Sequence, residues 1–129
     1  MRNYIFNIND TERELEERLD SKKWPLNPKT QFVDDLVKGD RIVIYEAGEG
    51  KHRFVGTAIV KSLSKNKSGN RFVDIEEIEK WPKPLSIKNF FGKLDIIKNP
   101  SHYGAYLAGG IKKLSDKDYA LIISQRLKK

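Results

Sequence analysis

The chain has 129 residues, 38% of them hydrophobic and 33% charged, which suffices for one folded domain but leaves little room for two independent cores. It contains no cysteine, so disulfides, thiolate metal sites and a cysteine nucleophile are excluded. The net charge is +7, yet residues 10–20 carry six acidic and only two basic side chains. A basic body with one acidic helix favours a polyanionic partner on one face.

The N-terminal half is predicted to alternate between strands and helices. Residues 4–8 are rich in β-forming side chains and predict a strand, and residues 11–19 predict a surface helix with little apolar surface. Residues 21–30 contain two prolines and predict an irregular connection. A helical face over residues 32–37 and a buried strand over 41–45 follow.

The C-terminal half predicts two further core strands and a final helix. The strands cover residues 54–60 and 71–79, and the sequence WPKP at 81–84 is expected to end the second of them. Ser115 and Asp118 have the spacing of helix-capping residues before an apolar stripe. The chain is therefore predicted to end in a helix that packs on the sheet.

These elements predict the fold class and the domain organisation. The strands are too close in sequence for helical crossovers, which favours an α+β fold built on a small, mostly antiparallel curved sheet or barrel. We expect a single domain over residues 1–129, because no linker or repeat is visible. No segment resembles a signal peptide or a membrane span, so a cytoplasmic location without membrane contact is expected.

The titratable residues do not predict an active site. His52 and His102 lie in predicted loops outside any cluster of metal-ligating or acid–base side chains. Glu77 and Glu79 share one strand face, which is expected to point to water. We therefore predict a protein that is not an enzyme and that carries no metal and no cofactor.

Aromatic residues in irregular segments are more informative. Trp24 lies beside Pro25 and is flanked by Lys22, Lys23 and Lys29, a combination that suits stacking on a nucleic-acid base with phosphate contacts nearby. A lone tryptophan is equally suited to close one end of a barrel core, and the residues alone leave both interpretations open.

A second place of this kind contains Tyr103 and Tyr106 beside three glycines, which allow close approach of a flat ligand. Trp81, between a lysine and a proline, is predicted to anchor the core instead.

Five phrases, read in order, carry a resemblance to a known family: YIFNI, KWPL, VKGDRIVIYEAG, FVGTAIV and KLDIIKNPSHYGAYLAGGIKKLSDKDYALI. Together they resemble the EVE domain of the PUA-like superfamily over nearly the whole chain. Residues 45–58 are more distantly similar to the YTH readers of methylated adenine. The resemblance implies a barrel of five or six strands with flanking helices, and a pocket for one flipped-out, modified base, such as a methylated one.

The resemblance also implies roles for individual residues. Trp24 matches a tryptophan that forms a pocket wall, and Pro25 stands where a glycine is common, which removes one amide hydrogen. Tyr103 stands where tryptophan is frequent. The predicted base contacts are Trp24, Pro25, Leu26, Asn27, Tyr45, Glu46, Phe54, Tyr103 and Tyr106. The predicted phosphate contacts are Lys22, Lys23, Lys29, Arg53, Lys65, Lys67 and Arg71. Base stacking on Trp24 requires that its indole lie open at the mouth of a cavity.

The predicted partner is thus DNA or RNA with a modified base, bound by a monomer or a weak dimer, and the base itself is left open. The first alternative is a general RNA-binding module of PUA type that depends on Lys65, Lys67 and Arg71 more than on Trp24. The second is a hydrolase or nuclease similar to the ASCH family, but its G-x-K-x-x-E-x-R signature is absent. The third is a protein-interaction domain that uses the acidic helix at 10–20.

Overall fold

One sheet of six strands organises the part of the chain that the computed structural model describes, which comprises residues 2–8, 12–26, 33–47, 51–97 and 111–126. The strands are β1 (Asn3–Ile8), β2 (Lys23–Pro25), β3 (Arg41–Glu46), β4 (Arg53–Lys65), β5 (Arg71–Ser86) and β6 (Ile111–Leu114). The helices are α1 (Glu12–Ser21) and α2 (Asp116–Arg126), with short 3-10 helices at Val33–Asp35 and Ile87–Phe90.

The strand order is β2-β5-β4-β3-β1-β6. β1 and β3 are parallel, and the other neighbours are antiparallel. Register shifts interrupt the pairing of β4 with both of its neighbours, and such bulges bend a sheet. The predicted α+β class with a mostly antiparallel, curved sheet is confirmed. Across the described residues the sheet is open, because β2 and β6 lie at opposite ends and do not pair with each other.

Both faces of the sheet are buried, and strand alternation divides the apolar residues between them. The first core includes Tyr4 and Phe6 of β1 and Leu15 of α1. The second core includes Ile5 of β1 and Ile122 of α2. Each α-helix therefore covers one face of the same sheet.

β5 continues through the WPKP segment, where the sequence predicted its end. Leu85 and Ser86 still pair with β4, whereas β2 pairs with β5 only over residues 72–74. In the described chain, the other edge of β5 thus has no ladder beside the two prolines, and a missing amide hydrogen is tolerated there. Trp81 is 3% exposed and lies in the second core, as predicted for an anchor.

Three further elements differ from prediction, and the start of α2 agrees with it. β2 lies within the segment that was expected to be irregular, and β6 was not predicted. Residues 33–35 form one 3-10 turn, where a helix over 32–37 was predicted. The predicted cap of α2 is confirmed, since the Asp118 amide donates to Ser115 Oγ over 3.1 Å. No helix in the described ranges is long and apolar enough to cross a membrane.

Candidate nucleic-acid interface

Trp24 is held in the sheet by β2, where it pairs with Val73 of β5. This pairing turns the indole toward the α1 face, where it joins the first core and is only 3% exposed. The Phe6 ring lies 5.6 Å away, centroid to centroid, and is tilted by 53°. The structure therefore differs from the open indole that base stacking requires, because the strand places the side chain beneath α1.

Arg18 of α1 covers the indole. Its guanidinium carbon lies 4.6 Å from the centroid of the Trp24 ring, within the range of a cation–π contact. Arg18 itself is partly exposed, so this side chain separates the ring from solvent. Arg18 is not among the predicted site residues, because in the sequence it is only one of two basic side chains on an acidic helix.

A groove of about 510 Å³ lies on the same face of the sheet, between the second half of α1 and β5. Leu19 and Ile78 contribute apolar surface and also pack against the first core. The remaining lining residues are charged: Glu16, Asp20, Lys22 and Lys80. Its volume is within the usual range for small-ligand sites.

Glu46 lies on the same face of the sheet as Trp24. It ends β3 in register with Ile8, a member of the first core. Its carboxylate is almost fully buried, and it accepts hydrogen bonds from Arg53 Nε over 3.0 Å and from Lys51 Nζ over 3.3 Å. An ionised carboxylate only accepts hydrogen bonds, so in a pocket it suits an amino group and not a carbonyl.

Tyr45 and Phe54 face the opposite side. Their rings are 5.1 Å apart, and Phe54 also meets Phe90 edge-on at 5.4 Å, all within the second core. Both side chains are buried. Because neighbouring residues of a strand point to opposite faces, the structure does not bring these two rings together with Trp24.

Three of the predicted phosphate contacts already have acidic partners. Lys23 Nζ lies 2.8 Å from Asp74 Oδ1, Arg71 lies 3.0 Å from Asp34, and Arg53 is held by Glu46. Lys22 is exposed at the rim of the groove. Lys65 and Lys67 are exposed near the tip of the β4–β5 hairpin.

Asp74 fixes β2 to β5. Burial alone would raise the pKa of this carboxyl group, but hydrogen bonds from the Lys23 ammonium and from the Ser62 and Ser64 hydroxyls outweigh it and hold the pKa below its ordinary value. The Lys23 ammonium is therefore bound to Asp74 and stabilises the contact of β2 with β5 in this structure.

We call residues 60–75 the hairpin arm. β3 pairs with β4 only as far as Ile59, so the arm extends beyond β3. Its exposed basic residues are Lys61, Lys65, Lys67 and Arg71, and Leu63 between them is 39% exposed. The arm therefore presents a basic surface whose residues do not line the groove.

The remaining predicted contacts lie at the end of β2 or outside the described residues. Pro25 is exposed, and Leu26 is partly buried with its amide donating to Arg71 O over 3.0 Å, so this amide is not free to meet a base edge. Asn27, Lys29, Tyr103 and Tyr106 lie outside the described residues. Within the described ranges, no three His, Asp or Glu side chains are close enough to share a metal ion.

No family model and no curated protein matches this sequence. Solved structures do match it along nearly its full length. Human THYN1, solved in complex with DNA containing 5-methylcytosine, is 11% identical with a TM-score of 0.68, and the match covers 100% of this chain and 99% of that one. The YTH domain of Zygosaccharomyces rouxii MRB1, solved in complex with N6-methyladenosine RNA, is 12% identical with a TM-score of 0.64, covering 96% and 86%. ZmASCH from Zymomonas mobilis is 8% identical with a TM-score of 0.67, covering 96% of each chain. The chain therefore shares the fold of these three proteins.

Proposed function

We propose that the protein binds DNA or RNA and recognises one flipped-out, modified base, such as a methylated one, on the α1 face of the sheet. The observation that carries this proposal is the contact of the partly exposed Arg18 with the Trp24 indole, on the face of the sheet whose core also borders a groove of ligand size. Two solved proteins with the same fold hold methylated nucleic acid, which supports the same class of ligand here.

In this mechanism the base leaves its strand and stacks on the Trp24 indole, an interaction that contributes about 1 to 3 kcal/mol. The Glu46 carboxylate is suited to accept a hydrogen bond from an amino group on the base edge. An added methyl group contributes about 1 to 3 kcal/mol by filling an apolar corner. No bond is made or broken in this mechanism, so we propose that the protein is a binding module and not an enzyme. We also propose that it acts in the cytoplasm.

The test compares modified and unmodified DNA and RNA oligonucleotides by titration against the wild type, Trp24→Phe and Trp24→Ala. Trp24→Phe keeps an aromatic ring in the first core and controls for folding, which thermal unfolding verifies. We expect the wild type to prefer a modified base, Trp24→Phe to retain part of the preference, and Trp24→Ala to lose about tenfold or more in affinity for it. Equal affinity for every base, unchanged in Trp24→Ala, would defeat the proposal.

A second function, general RNA binding without preference for a modification, is favoured by the hairpin arm with its exposed basic residues. On that interpretation the arm supplies the affinity and Trp24 only fills the first core. The two functions differ in which residues set the affinity, and a salt titration of arm variants separates them.

A further inference from the structure

We propose that Arg18 is a gate over Trp24. Its guanidinium occupies the indole face that a base would stack on, and it leaves that face when a base binds. Such a gate operates only if the base-binding function proposed above holds.

The contacts of the indole indicate which side would admit a base. Phe6 meets Trp24 at a tilt of 53°, so its ring does not lie flat against the indole. Arg18 lies over the ring at 4.6 Å and is itself partly exposed. Of these two contacts Arg18 is the one that reaches solvent, whereas Phe6 is fully buried, so we place the entry of a base on the Arg18 side.

The surroundings also provide places for the guanidinium after it moves. Glu16 and Asp20 line the adjacent groove from the same helix, and both are exposed. A phosphate of the bound strand is a further partner, because the planar guanidinium matches phosphate oxygens. The side chain that closes the site would then hold the ligand's backbone once the site is open.

Because a base has to displace the Arg18 guanidinium from the indole, the gate selects bases that stack strongly on Trp24. A cation–π contact and a base–indole stack are interactions of similar size, so a base that stacks weakly gains little by displacing Arg18. The ligand class favoured is thus a base that stacks better than an unmodified pyrimidine does, and a methyl group extends its flat apolar surface.

The first experiment needs no ligand. Trp24 and Trp81 are the two tryptophans, so the Trp81→Phe background reports on Trp24 alone. We expect Arg18→Ala to increase the acrylamide quenching of Trp24 fluorescence at least twofold, with Arg18→Lys in between. If Trp81→Phe does not fold, the chain with both tryptophans is labelled with fluorotryptophan, and its two ¹⁹F signals report the solvent exposure of the two indoles. The signal that is missing in Trp24→Phe belongs to Trp24.

Arg41→Ala is the matched control, because the Arg41 guanidinium lies over another ring, that of Tyr119, at 4.2 Å. It removes the same charge and the same type of interaction, and it should leave the quenching of Trp24 unchanged. Unchanged quenching in Arg18→Ala, or an equal rise in Arg41→Ala, would overturn the gate.

The second experiment titrates methylated nucleosides, which carry no phosphate, against the wild type and Arg18→Ala. Removal of the competing guanidinium should tighten nucleoside binding by about 2- to 30-fold. Unchanged or weaker binding in Arg18→Ala, with measurable binding to the wild type, overturns the gate and leaves base recognition intact. If neither protein binds any base, while quenching still rises in Arg18→Ala, the proposed function fails and the gate has no role in it.

Discussion

The residues that flank Trp24 suit two different roles: an exposed platform on which a ligand stacks, and a buried side chain that anchors the core. Two lysines before the tryptophan and a proline after it predict an exposed, stiffened loop, but three residues of pairing with β5 place the indole beneath α1. This pairing joins segments about 50 residues apart in sequence, so no local pattern could have predicted it. Of the two interpretations that the residues alone leave open, the burial of Trp24 in this structure matches the core anchor, and its role as a base contact stays a prediction.

Replacement of the Glu46 carboxylate tests its proposed contact with the edge of the base. In Glu46→Gln one acceptor oxygen is replaced by a donor NH₂ group, so we expect a shift in preference from bases with an amino group toward bases with a carbonyl at that edge. The variant also loses the charge that Arg53 and Lys51 pair with, which should lower the free energy of unfolding by about 3 kcal/mol. Titration with cytosine-type and thymine-type oligonucleotides, beside urea unfolding, measures both effects.

Arg53→Gln is the matched control for Glu46→Gln, because it breaks the same ion pair and keeps the carboxylate. Stability should fall in both variants, whereas base preference should shift only in Glu46→Gln. An identical change of preference in both would show that Glu46 has no direct contact with the base.

Among the elements, the β4–β5 pair shows why a glycine stands in the FVGTAIV phrase. A Cβ atom added at Gly56 would lie 2.3 Å from the Glu79 carbonyl oxygen, in the backbone of β5. We expect Gly56→Ala to destabilise the protein by about 1 to 3 kcal/mol, because backbone atoms must move to relieve the contact. Thr57→Ala at the next position of β4 is the control, and thermal unfolding of both variants is the measurement. Equal stability of Gly56→Ala and wild type would contradict this close approach.

The attachment of β2 to β5 predicts a pH dependence through Asp74. Its pKa is lower in the folded protein than in the unfolded chain, so its stabilising contribution is complete above the unfolded value of about 3.9 and is lost as the pH falls through the folded value. Asp74→Asn should therefore be less stable than the wild type by about 1 kcal/mol at pH 7, with a smaller difference at pH 3. Urea unfolding at the two pH values gives the difference directly. A gap that stays constant or widens in acid would contradict the assignment.

The predicted elements hold where local pattern and tertiary pairing agree, as in β1, β3 and α2. They fail where pairing decides the outcome. The two prolines of the WPKP segment are compatible with β5 because one edge of the strand needs no donor there, and a sequence does not reveal which edge is covered. β6 has only four residues and pairs with β1 from the far end of the chain. Such short strands carry too little periodicity to be recognised alone.

For the whole molecule, the net charge of +7 predicts binding that weakens with salt, and the slope measures the number of phosphate contacts. The hairpin arm gives the sharper test. Replacing Lys65 and Lys67 together by Gln should reduce the slope of log affinity against log salt by about 0.7 to 0.9 for each phosphate that is no longer neutralised, equally for modified and unmodified strands. Lys112→Gln and Lys113→Gln in β6 form a charge-matched control.

A large loss of affinity in the arm variant, combined with no effect of Trp24→Phe or Trp24→Ala, would favour general RNA binding over base recognition. An unchanged slope would remove the arm from the interface.

The fold itself was predicted correctly as α+β, because the order of the phrases along the chain reflects the order of the elements. The division of Trp24 from Tyr45 and Phe54 between opposite faces was not predicted, since the two faces of one sheet cannot be told apart without its register.

The place of β1 in the strand order has a consequence for biogenesis. β1 is flanked by β3 on one side and by β6 on the other, so the first of these six strands to be synthesised is among the last to be fully paired. Until residue 114 has emerged, one of its edges can recruit a strand from another copy. Slow translation before that point should thus favour aggregation of nascent chains, which a ribosome-arrest series would reveal.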